Sequence, residues 1–159
     1  AAGASRIIAV DVVGHKRELA RRLGATDDVA GGPDAVAEVR ELTGGGADKV
    51  IDTTGVAAVL EQAYLATGAG GTTVTVGLPH PDRTITLPAL SLVAEERTLK
   101  GSYLGSCVPR RDVPRFVDLY RAGRLPVHEL LSGRLTLDQI NVGFTRLAAG
   151  EAVRQVVVM

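Results

Sequence analysis

The feature that most constrains this chain is an alternation: short runs rich in Ile, Val and Thr, each followed by an amphipathic stretch that stops at glycine. Residues 6–12 (RIIAVDV) are almost continuously apolar. Such a run has no polar face to turn to water, the pattern of a strand buried on both sides in a parallel sheet. A helix over residues 15–23 follows, with Gly24 placed to cap it. Residues 27–30 read as a short strand. Pro33 opens a second helix over 34–43, with Val36, Val39 and Leu42 on one side, and Gly44, Gly45 and Gly46 stop it. Residues 49–53 (KVIDT) are a further buried strand ending at Gly55. Val56, Val59, Leu60, Ala63 and Tyr64 then recur at helical spacing. Gly70 and Gly71 end that helix, and 72–78 is the next strand. Strands alternating with helices in this way predict βαβ units and a parallel, doubly wound α/β sheet.

Beyond residue 80 the pattern changes. Residues 84–87 (TITL) alternate polar and apolar, as a half-exposed edge strand does. Residues 99–104 read as a strand. Val113, Phe116, Val117 and Tyr120 mark a helix over 111–122; Ile140, Phe144, Leu147 and Ala148 mark another, capped by Gly150, before a closing strand at 154–158.

Composition narrows the function classes. The 18 Lys and Arg balance 18 Asp and Glu, so the chain lacks the basic excess of a nucleic-acid binder. Its single cysteine, Cys107, excludes an internal disulfide framework. The three histidines and Cys107 show no metal-ligand spacing, so no metal site is expected in this chain. No apolar run nears the ~20 residues that span a bilayer. The expected partners are a small molecule and further copies of the chain, not nucleic acid or membrane, in a cytoplasmic setting. Ala1 and Ala2 read as the last turn of a helix capped by Gly3.

Asp11 stands at the C-terminal end of the first strand. There a carboxylate can accept hydrogen bonds from both hydroxyls of an adenosine ribose and repel a 2′-phosphate; a solvated strand-end Asp would look the same. The Gly-x-Gly-x-x-Gly loop that should precede such a strand is not found. Gly68–Gly71 and Gly44–Gly46 connect helix to strand, the wrong order for it, and read as turns.

The stretch AAGASRIIAVDVVGHKRELARRLGATDDV resembles the zinc-dependent medium-chain alcohol dehydrogenases just after their glycine fingerprint. The likeness continues through GGGADKVIDTTG, GGTTVTVGLP, TLKGSYLGS and DVPRFVDLYRAGRL, and closes with LTLDQINVGFTRLAAGEAVRQVVVM. It covers essentially the whole chain. The resemblance implies that Asp11 selects NAD over NADP and that Lys16 also reaches the ribose. Val12 and Thr54 would flank the adenine, although the family more often carries an apolar residue at Thr54. Val76, Ser102 and Leu104 would hold the nicotinamide carboxamide through backbone groups, and Gly77 would let the backbone approach the ring. Leu78 and Tyr103 would line the substrate pocket, and Arg154 would contact the pyrophosphate.

The family's zinc ligands, proton relay, glycine loop and first strand lie upstream of the stretch matched. The resemblance therefore assigns no catalytic residue and no metal ligand to this chain, and places the zinc of the parent enzyme on residues outside it. It implies a partial NAD-binding domain over 1–103, lacking its first strand, and a return into the catalytic domain over 104–159. The expected activity of the parent is hydride transfer between an alcohol or aldehyde and NAD with zinc assistance, in a homodimer or homotetramer with Ile85 and Leu87 near the interface. Two alternatives stand beside it: a zinc-free quinone or enoyl reductase, which would favour NADPH against the charge of Asp11, and a non-catalytic nucleotide-sensing module. In the doubly wound order the first strand lies between the second and the fourth. Its loss predicts an unfilled slot between Ile8 and Ile51, about two strand spacings or ~9–10 Å wide.

Overall fold

The computed structural model describes residues 3–159. The helical reading of Ala1 and Ala2 lies outside them; Gly3 itself adopts φ +81°. The expected alternation is present: strands β1 (Ile8–Asp11), β2 (Asp27–Ala30), β3 (Ala47–Asp52), β4 (Thr67–Thr75) and β5 (Thr98–Gly101) are separated by helices α1 (Gly14–Arg22), α2 (Ala35–Thr43), α3 (Ala57–Ala66) and α4 (Ala89–Ala94). Then come α5 (Pro109–Arg121), β6 (Leu131–Leu135), α6 (Ile140–Ala148) and β7 (Arg154–Val157).

Contacts divide the chain into two compact units. One gathers the described part of residues 1–9 with 13–28 and 108–159; the other gathers 10–12 and 29–107. The second unit holds the β3-β4-β5 sheet, in which both pairings are parallel. Its core is Val29, Ala35, Val39, Leu60, Tyr64 and Ala66, contributed largely by the inward stripes of α2 and α3. Gly44 closes α2 at φ +69°, a left-handed conformation that costs glycine little. Tyr64 is sealed off completely: its hydroxyl shares a hydrogen bond with Ser91 (2.7 Å) and its carbonyl accepts one from Arg97 (2.8 Å).

In the first unit β6 and β7 form a parallel pair, with Leu135 opposite Val157. Helix α6 lies against them through Gly143, where a Cβ would collide with the Leu135 side chain. The Gln155 amide secures the approach by donating to the Gly143 carbonyl at 2.9 Å. Asp112 in α5 accepts from the Val108 N–H (2.8 Å) and from two nitrogens of Arg111 (2.7 and 2.8 Å). These bonds, the Arg111 side chain foremost, lower its pKa to about 2.

Three expectations need correction. The Gly68–Gly71 segment is no turn between helix and strand. Helix α3 ends at Ala66 and β4 begins at once, so the glycines lie inside the strand as an irregularity: Ala47 pairs with Thr67 but Lys49 with Thr72. Residues 84–87 are not a strand, because none of the described residues forms a ladder with them. The Thr86 N–H goes instead to the Glu61 carboxylate at 2.7 Å, while Ile85 and Leu87 are half-buried. The strand expected over 99–104 stops at Gly101, since Leu104 takes φ +49° and starts a tight turn. Helix α4 and strand β6 have no counterpart in the sequence pattern.

Among the described residues β1 pairs only with β2, and β3 only with β4. The β1–β2 pair is parallel: the Ile7 carbonyl accepts from Thr26 and Asp27, and the Asp11 carbonyl from Gly31. The outward edge of β3 leaves Ile51 66% exposed, far from the buried state its sequence pattern calls for.

Candidate functional site

In parallel α/β sheets, ligands bind beyond the carboxyl ends of the strands, where connecting loops diverge. At that end of the β3-β4-β5 sheet three loops emerge: Thr53–Val56, Val76–Leu78 and Ser102–Ser106. They carry Val76, Gly77, Ser102 and Leu104, expected at the nicotinamide, Leu78 and Tyr103, expected at the substrate pocket, and Thr54, expected at the adenine.

Backbone hydrogen bonds fix which groups of this rim can meet a ligand. The Val76 N–H donates to the Asp52 carbonyl at 2.9 Å, and the Ser102 N–H to the Thr75 carbonyl at 2.9 Å. Both continue the sheet ladder past its last assigned residues. The N–H groups of Val76 and Ser102 are thus taken up by the sheet. At Leu104 it is the carbonyl that is engaged, accepting from the Cys107 N–H at 3.3 Å.

Gly77 also meets a close contact within the chain. A Cβ there would lie 2.6 Å from the Gly55 Cα and 3.0 Å from the Thr54 carbonyl carbon. Gly55 in turn adopts φ +70° and leaves only 3.0 Å between a Cβ and the Leu78 oxygen. The glycines let the β3 and β4 loops lie on each other. Leu78 and Tyr103 are 76% and 71% exposed, so two large apolar side chains stand in the open beside this rim.

Beneath the rim lies a residue that the sequence reading does not single out, Asp52, 4% exposed at the end of β3. Its Oδ1 accepts from the Thr54 N–H (3.0 Å) and the Thr54 hydroxyl (2.7 Å), and its Oδ2 accepts from the Thr75 hydroxyl (3.1 Å). The available signal is an acid closing an otherwise apolar strand, KVID, just before a Thr-Thr-Gly turn. A cavity of about 30 Å³ adjoins it, bordered by Arg83 and Ile85.

Asp11 closes β1, half buried, and belongs with Val12 to this same unit. Val12 is largely exposed and leans over Gly31, where a Cβ would stand 2.9 Å from its Cγ1. Lys16 and Arg154 fall in the other unit. Lys16 extends its ammonium toward Gly150. Arg154 opens β7 with an exposed side chain, its N–H held by the Ser132 hydroxyl at 3.1 Å. The basic face of α1 is partly neutralised: Arg17 (3.2 Å) and Arg21 both pair with Asp28, whose pKa is lowered chiefly by the Arg21 hydrogen bond. The described residues contain no group of three or more His, Cys, Asp or Glu able to hold a metal, so zinc has no ligand set among them.

The zinc-binding dehydrogenase family model matches residues 1–122. Among curated proteins the chain is 40% identical over 160 residues to the NDMA-dependent alcohol dehydrogenase of Amycolatopsis methanolica, covering 98% of this chain and 43% of that protein. It is 38% identical to the geraniol dehydrogenase of Castellaniella defragrans, over 99% of this chain and 43% of the relative. The benzyl alcohol dehydrogenase structure from Acinetobacter calcoaceticus superposes with a TM-score of 0.93 at 33% identity, over 98% of this chain and 43% of that one. A zinc-binding dehydrogenase of Sinorhizobium meliloti 1021, solved bound to NADP, gives 0.85 at 29% identity, over 99% and 46%. The chain thus spans less than half the length of these relatives, and by its sequence and its fold it belongs to the zinc-binding dehydrogenases.

Proposed function

We propose that this chain supplies the cofactor side of an NAD-dependent, zinc-assisted alcohol dehydrogenase, whose zinc ligands lie outside it. What supports this reading is the family match over residues 1–122 together with the rim, where the Val76 and Ser102 N–H groups and the Leu104 carbonyl are already engaged, so that the Val76 and Ser102 carbonyls and the Leu104 N–H would serve a nicotinamide carboxamide. Each such bond contributes ~0.5–1.5 kcal/mol, and together they fix which face of the ring is presented. The bound nicotinamide supplies the hydride acceptor. The chain's own part is to orient that ring, to line the substrate pocket with Leu78 and Tyr103, and to hold the ribose on Asp11. Lys16 and Arg154 would add cationic contacts to the ribose and the pyrophosphate, and Val12 with Thr54 would flank the adenine.

The setting proposed is a cytoplasmic homodimer or homotetramer. Residues 84–87, without a ladder partner among the described residues, would meet a second copy through Ile85 and Leu87. A single monomeric species by light scattering of the full-length protein contradicts that assembly.

The test of function is oxidation of primary and secondary alcohols by the full-length, zinc-loaded protein with NAD, alongside titration with NADH and NADPH. NAD-coupled oxidation with tighter NADH binding is the expected result. Quinone reduction that requires NADPH and no zinc would favour the reductase reading, to which the NADP-bound Sinorhizobium relative lends some support. Nucleotide binding without any turnover would favour a sensing module.

A further inference from the structure

We infer that Asp52 is a positioning residue: it holds the Thr54 loop and the Val76 loop in register with each other, so that the carboxamide-binding carbonyl of Val76 points correctly. This deepens the cofactor reading above and rests on it.

Asp52 is buried, and the groups that donate to its carboxylate are neutral: the Thr54 N–H, the Thr54 hydroxyl and the Thr75 hydroxyl. Burying a carboxylate without a cation is costly, and three hydrogen-bond donors offset part of that cost. The two oxygens divide the work. Oδ1 serves the β3 loop, forming a short side-chain turn that places Thr54. Thr54 passes the constraint on, since its hydroxyl accepts from the Val56 N–H (3.1 Å) at the start of α3. Oδ2 serves the end of β4 through Thr75, and the Asp52 carbonyl takes the Val76 N–H. One residue thus fixes the peptide before Thr54, the Thr75 side chain and the peptide before Val76. The Gly55–Gly77 backbone contact is the second link between the same loops.

A structural acid that merely stabilised the core would affect all ligands alike. A positioning residue has a selective signature, because Thr75 links only to the nicotinamide end. Thr75→Val keeps the side-chain shape and removes one bond to Oδ2. In full-length protein we expect this change to raise the Kd for NADH ~3–10-fold while leaving the Kd for ADP-ribose, which lacks the nicotinamide, unchanged. Asp52→Ala should raise the NADH Kd further, ~10–100-fold. Asp52→Asn should recover most of the loss, because its amide oxygen can serve Thr54 while the Thr75 hydroxyl turns to accept from its nitrogen. If Asp52→Ala does not fold, Thr75→Val and Asp52→Asn decide the matter. The inference is overturned if Thr75→Val leaves NADH binding at wild type, or weakens NADH and ADP-ribose equally. Wild-type protein that binds neither ligand would sink the cofactor reading along with it, an outcome distinct from failure of the positioning role alone.

Discussion

Replacing Gly77 with alanine separates two reasons for a glycine at the cofactor rim. If the glycine only gave clearance to a bound ring, the cofactor-free protein would tolerate a methyl group. It would even gain ~0.4–1 kcal/mol from a stiffer unfolded chain. The structure argues otherwise. The added Cβ would meet the Gly55 N and Cα and the Thr54 carbonyl carbon, the last two at 2.6 and 3.0 Å. All are backbone atoms, with no flexible side chain to yield. Gly55 cannot retreat easily, because it is itself held at φ +70° against the Leu78 oxygen. The φ of Gly77 is not positive, so backbone strain adds nothing and the penalty is steric. Overpacking of this kind costs ~1–3 kcal/mol. In cofactor-free, full-length protein that corresponds to a melting temperature lower by ~2 °C or more. Thermal melts of wild type and Gly77→Ala without nucleotide measure it directly. An unchanged or raised apo melting temperature, with weakened NADH binding, would refute the packing argument and return Gly77 to a ring-clearance role.

Three further outcomes are expected. Asp11→Gly in full-length protein should weaken NAD binding ~10–100-fold by removing charged hydrogen bonds, and should narrow the preference for NAD over NADP; titration with both cofactors checks this. The folded pKa of Asp112, about 2, lies below its ordinary 3.8. Its contribution to stability is therefore complete above about pH 4 and fades as pH falls toward 2; Asp112→Asn should flatten that part of an acid-unfolding curve. The isolated 159-residue chain, with β1 and β3 each paired on one side only among the described residues, should melt broadly and aggregate; a sharp, reversible two-state melt as a monomer would contradict this.

The elements legible in the sequence are those whose pattern is local. The buried runs of β1 and β3 and the spaced apolar residues of α2 and α3 carry their own periodicity, and Gly44 stops α2 where its left-handed φ requires. Sequence and structure part where a long-range partner decides the outcome. Residues 84–87 alternate like a strand, but a strand exists only if another edge pairs with it, and Glu61 takes the Thr86 N–H instead. Strand β6 is the opposite case. Leu131–Leu135 (LSGRL) contains a glycine and an arginine and looks irregular, yet β7 supplies the ladder that organises it. Gly68–Gly71 read as a turn because nothing in the sequence shows how closely Gly46 comes: a Cβ on Gly46 would stand 2.5 Å from the Gly68 nitrogen.

The site divides along the same line. Asp11 is legible because an acid closing an apolar strand is a local signal, and the loop residues are legible through family resemblance. Asp52 gives a local signal of the same kind, KVID, yet its importance depends on Thr75, which lies on the neighbouring strand. Gly77 shows the converse: the sequence marks the right residue, but its nearest neighbours are the Gly55 backbone atoms on the next loop. In both cases the deciding contact runs between β3 and β4. In a parallel sheet those strands are separated by a whole crossover helix, so no window of sequence contains both partners. Residues that face a ligand can be marked by type and place along one strand; residues that set the spacing between strands become visible only once the strands are paired.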